Sequence, residues 1–261
     1  MHNKTVSNFL KRNSIDEERI KKIYDTNIYS LGEIDPILED FAIYSSSILD
    51  RVSIADIYGF DYRWRGFSKD IFLSLDSLFD EDSRGYKKRS VDNLLKTSKQ
   101  MLESPSFSSE PMEVIEVDEE NKIFTIGSNG LHRYSALKVL YLNELYHIPL
   151  EKEELKEKYK VLVSLSKIDK IKTYCNFIIS RNINDAYIKK EVDSNCQDTG
   201  NSILVTNDKK EVLTDEELLA FSRNVIDNNP TFIDYYSSNP KFISFIQNTL
   251  YNENIKEAHH G

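Results

Sequence analysis

The chain has 261 residues, enough for one large domain or two small ones built around a real hydrophobic core. Apolar residues at 39% and aromatics at 11% exclude a largely disordered chain, and charged residues at 30% are ordinary for a globular protein. The net charge of −9 argues against a broad basic face for nucleic-acid phosphates, while leaving room for a local patch such as Arg84-Gly85-Tyr86-Lys87-Lys88-Arg89.

Residues 6–30 carry Phe9, Leu10, Ile20, Ile23 and Tyr24 as an intermittent apolar face and predict a helix that Gly32 interrupts. Asp35-Pro36 predicts a second helix, the aspartate as its cap and proline in the first position, running to Leu49. Residues 52–58 alternate apolar with small or polar side chains and predict a strand. After it comes Asp61-Tyr62-Arg63-Trp64-Arg65-Gly66, dense in groups that stack or pair with an anion. A helix is predicted over 89–103, stopped by Ser104-Pro105.

Residues 112–117 and 122–126 predict two short strands joined as a hairpin by Asp118-Glu119-Glu120-Asn121. A helix then starts near Arg133 and runs to Leu145, with Ala136, Leu137, Leu140, Tyr141 and Leu145 at helical spacing. A charged helix over 151–158 leads into an apolar strand over 159–165. Beyond residue 167, strands at 203–205 and 211–213 flank a polar turn as a second hairpin. Thr214 and Glu217 make a capping box for a helix ending near Ile226. Asn229-Pro230 and Asn239-Pro240 each open a further helix by the logic of Asp35-Pro36.

No run approaches the roughly 20 apolar residues of a membrane span. The opening Met1-His2-Asn3-Lys4-Thr5 lacks the apolar core of a secretion signal, so a cytoplasmic protein is expected. Cys175 and Cys196 stand far apart with no partners at metal-ligand spacing and are expected as reduced thiols.

The segment that carries chemistry is Gly127-Ser128-Asn129-Gly130-Leu131-His132-Arg133. A strand ends, two glycines frame a turn, and a helix begins. The first N–H groups of a helix have no internal partner and, with the helix dipole, make an anion site. A cation at a helix entry opposes the dipole by about 0.3–1 kcal/mol, an arrangement that an anion bound between them relieves. The Arg133 guanidinium offers a fork of donors suited to phosphate oxygens, and His132 can donate or move a proton. A tight strand-to-helix connection whose glycines serve only the turn is the competing reading, and it stays open here. His147 has no such setting and reads as structural.

Glu113–Val117 followed by Phe124–Ala136 resembles the ParB/sulfiredoxin superfamily, whose members include chromosome-partition proteins, sulfiredoxin, free-serine kinases and some nucleases. Their shared core holds a strand, a Gly-x-(His/Arg)-Arg turn that contacts ATP or CTP phosphates, and a helix. The resemblance implies an α+β fold with a ParB/sulfiredoxin-like mixed sheet and flanking helices over residues 51–166. An N-terminal helical segment over 1–50 and a mostly helical α+β extension over 167–261 complete the expected organisation. It also implies Gly130, His132 and Arg133 as phosphate contacts, with Lys87 and Ser90 added from upstream.

Tyr134-Ser135-Ala136 is closer in style to the sulfiredoxin and serine-kinase branch than to the partition branch. The reactive cysteine of sulfiredoxin is replaced here by Leu131, which excludes attack on phosphorus by a thiol. Serine kinases of the group place an acidic base where Asp80-Glu81-Asp82 stand; Glu81 is the candidate, Asp56 and Asp61 are rivals, and a solvated acidic loop is the plain alternative. The expected activity is an ATP- or CTP-dependent phosphotransferase or nucleotide hydrolase. Its catalytic pair would be Glu81 and His132, with Mg²⁺ at the phosphates and Arg63 and Arg65 toward the substrate. The alternative is a DNA-associated partition or nuclease protein, and the C-terminal helices are a candidate surface for a protein partner.

Overall fold

The computed structural model describes residues 29–60, 111–118, 123–126, 130–147, 152–207 and 209–252, with isolated positions at 11, 14, 16, 18, 96, 98–100, 102 and 103. In chain order the elements are β1 (Tyr29–Ser30), α1 (Leu31–Ile34), α2 (Pro36–Phe41), β2 (Ile48–Ser53), a 3-10 turn (Ile54–Asp56), β3 (Ile57–Phe60), β4 (Met112–Asp118) and β5 (Ile123–Ile126). Then follow α3 (Leu131–His147), α4 (Lys152–Lys158), β6 (Lys160–Lys167), α5 (Lys170–Asn182), β7 (Tyr187–Val192), β8 (Asp198–Val205), β9 (Lys210–Leu213), α6 (Asp215–Asp227), α7 (Thr231–Tyr235), α8 (Pro240–Phe245) and a π-helical turn (Ile246–Leu250). The protein is mixed α+β. Two compact units divide it: Met1–Glu33 with Ser47–Ser166, and Ile34–Ser46 with Lys167–Gly261. Residues 34–46, expected within an N-terminal helical segment, therefore belong to the same unit as the C-terminal part of the chain.

The first unit is built on a six-stranded sheet in the order β1-β3-β5-β4-β6-β2. β1, β3 and β5 run parallel, with Ser30 opposite Phe60 and Phe60 opposite Ile126. β4 and β5 form the antiparallel hairpin that the acidic Asp118–Asn121 segment predicts, Val114 opposite Ile126. β6 alternates buried Val161, Val163 and Leu165 with half-buried Lys160, Leu162, Ser164 and Ser166, the period of a strand covered more fully on one face. β2 lies antiparallel on its far side, from Ile48 opposite Leu165 to Ser53 opposite Lys160.

Two expectations fail here. The helix expected to run from Pro36 to Leu49 ends at Phe41, and Ile48–Leu49 begin β2. Ser45-Ser46-Ser47 lies between, and the Ser45 hydroxyl accepts the Lys167 N–H at 2.9 Å, a bond distant in sequence that holds this segment outside the helix. The single strand expected over 52–58 is two. The Ser53 hydroxyl accepts the Ala55 N–H at 3.2 Å and folds Ile54–Asp56 into a 3-10 turn. β2 thus ends at the margin of the sheet, and β3 enters between β1 and β5. At the end of the helix predicted over 6–30, Tyr29 and Ser30 are strand; most of that span lies outside the described residues. Of the helix predicted over 89–103, Lys96, Ser98–Gln100, Leu102 and Glu103 are described and helical.

In the second unit, β7, β8 and β9 form an antiparallel sheet, Ile203 opposite Val212 in the hairpin expected from sequence. β7 and α5 were not expected. α5 buries every residue from Lys172 to Ile179, and a helix enclosed on all sides carries no 3.6-residue period. Its Lys172 ammonium donates to the Gly200 carbonyl at 2.7 Å and lies 3.3 Å from Asp169 and 3.6 Å from Asp215, so the buried charge is paired. The capping box of Thr214 and Glu217 is formed.

Asp35 is the knot of this unit. Its buried carboxylate accepts the Ile37 N–H at 3.0 Å as the α2 cap, the Tyr174 hydroxyl at 2.7 Å and the Asn239 side-chain amide at 2.9 Å. Asn239 in turn caps α8 through the Phe242 N–H at 3.0 Å. The helix expected after Asn229-Pro230 forms as α7, but its capping differs: Pro230 itself takes the cap position without a side-chain bond, and the Asn229 side chain accepts the Thr231 hydroxyl. Among the described residues, no helix is long and apolar enough to cross a membrane.

Candidate functional site

Three parallel strands, β1, β3 and β5, end together at Ser30, Phe60 and Ile126. Outside the carboxyl ends of such strands an open sheet offers a crevice for ligands. Two segments singled out by the sequence leave from this edge. Gly130 follows Ile126 by four residues. Arg63 follows Phe60 by three, a span of chain no longer than roughly 11 Å.

Gly130 has φ +109, backbone that only glycine adopts without strain. A Cβ there would stand 2.6 Å from Met112 Cγ and 3.1 Å from Met112 Cα, so the opening of β4 also forbids a side chain. The Gly130 carbonyl accepts the Tyr134 N–H at 2.8 Å, the first bond of α3. Leu131, His132 and Arg133 are therefore the three positions whose N–H groups precede the intrahelical ladder. That first turn contains no acidic residue. Arg133 is half-buried; of His132 the structure describes the backbone.

The helix entry is held in place from below. The buried Tyr134 hydroxyl donates to the Ile57 carbonyl at 3.1 Å. One turn on, Lys138 is buried, and its amine donates to the carbonyls of Ile54 at 3.0 Å and Ile57 at 3.1 Å. The same amine lies 5.6 Å from the Tyr134 ring centre and 6.0 Å from that of Tyr141. Burial lowers its basicity well below that of an ordinary lysine, against the opposing pull of Asp56. Asp56, a rival for the catalytic base, pairs with Lys156 at 3.1 Å beside this turn. Lys138 was not singled out from sequence; its signal is a lysine between Leu137 and Val139 on a helix whose apolar residues already fill that face.

The structure thus gathers Gly130, His132 and Arg133 at the mouth of α3. Glu81, Lys87, Ser90, Arg63 and Arg65 lie outside the described residues, as do Gly127–Asn129, Asp61 and Trp64. His147 stands exposed in the last turn of α3. No family model, curated protein or solved structure matches the chain. Backbone amides at a helix entry whose first turn holds no acid suit an anion. Among the described residues no group of three or more His, Cys, Asp or Glu is placed to hold a metal ion. Cys175 is buried, which pushes its thiol up to about 12 and leaves it unreactive; Cys196 is exposed.

Proposed function

We propose that this chain binds the phosphates of ATP or CTP at the mouth of α3 and acts as a nucleotide-dependent phosphotransferase or nucleotide hydrolase of ParB/sulfiredoxin-like type. One observation carries the reading. Gly130, in a backbone state reserved for glycine, opens a helix whose first turn holds His132 and Arg133 and no acid. In this reading the Leu131 and His132 amides and the Arg133 guanidinium neutralise phosphate charge, the part of phosphoryl transfer that a protein supplies mainly by position. Lys87 and Ser90 add contacts from upstream, and Arg63 and Arg65 face the substrate. Glu81 would help to hold a Mg²⁺ ion, which would supply neutralisation of phosphate charge, or would serve as the base. His132 would donate to a phosphate oxygen or carry the transferred proton.

The test is thermal unfolding with ATP, CTP and Mg²⁺, for the natural chain and Arg133→Ala. A nucleotide-dependent rise in Tm for the natural chain, absent in Arg133→Ala when each protein is compared with its own unliganded Tm, is the expected outcome. No rise with any nucleotide, together with salt-sensitive retention of DNA, would favour the DNA-associated alternative instead.

A further inference from the structure

We draw no further inference here: the strongest candidate, the outer edge of β2 with its exposed Ile48 and Leu49, has only β6 as a neighbouring strand among the described residues, and nothing in the structure shows what covers it.

Discussion

Lys138 is a buried lysine whose basicity burial holds well below the ordinary value. Its amine is enclosed yet satisfied by two carbonyls, so the group holds the turn before β3 without needing its charge. Protonating it inside the fold is harder than in the unfolded chain, where lysine titrates near about 10.4. Below that pH the unfolded state binds more protons at this position, and stability contributed by the site grows as pH rises toward it. Lys138→Met keeps the length of the side chain and removes the titration. Denaturant unfolding between pH 7 and 10 should show the natural chain gaining stability relative to the variant as pH rises. Parallel profiles would mean that the lysine keeps an ordinary basicity. Gly130 makes a poor probe by comparison, since any side chain there meets both the positive φ and Met112, and loss of folding would mask loss of binding.

Among the elements, α2 shows how far a cap signal reaches. Asp35-Pro36 was legible as a helix start because cap and proline act locally. The end of that helix was not legible, because it depends on Ser45 meeting Lys167, more than a hundred residues away in sequence. Ser53 hid its turn for a different reason: its bond to Ala55 is local, but a strand pattern gives no sign that a hydroxyl will fold the next three residues back. β7 and α5 escaped for the opposite reasons, one mostly polar and one buried all round. The opening of α3 after Gly130 was legible because glycine and helix-entry chemistry are both local. Its anchorage was not, because Lys138 reaches across to Ile54 and Ile57. Asp35 also joins α2, α5 and α8 in one buried node, so its loss should be felt beyond its own helix. Asp35→Ala should cost roughly 2–4 kcal/mol by removing a cap and stranding the Tyr174 hydroxyl and the Asn239 amide. Asp35→Asn, which retains one acceptor, should cost less. A chemical-denaturation difference under about 1 kcal/mol for Asp35→Ala would show that the node is relieved by rearrangement.

At the scale of the molecule, both units bury a tyrosine whose neutral form is favoured. Tyr159 is shifted upward first by burial and then by Glu144; Tyr174 is shifted upward first by burial and then by Asp35. An unfolded tyrosine ionises near about 10, so above that pH the unfolded chain loses protons that the fold retains. Stability from these residues is complete below pH about 10 and is lost as pH rises beyond it. Thermal scans should therefore show Tm falling above that pH, and the fall should be shallower in Tyr174→Phe than in the natural chain. An identical fall in both would place the alkaline loss elsewhere.

An anion seated on the first turn of α3 would be read most directly in the backbone amide resonances of that turn. On titration with ATP or CTP and Mg²⁺, Leu131, His132 and Arg133 should shift first and furthest and saturate together, with Arg133→Ala weakening the saturation by tenfold or more. Saturating nucleotide that leaves those three amides unmoved would contradict the account, whatever else in the protein responded.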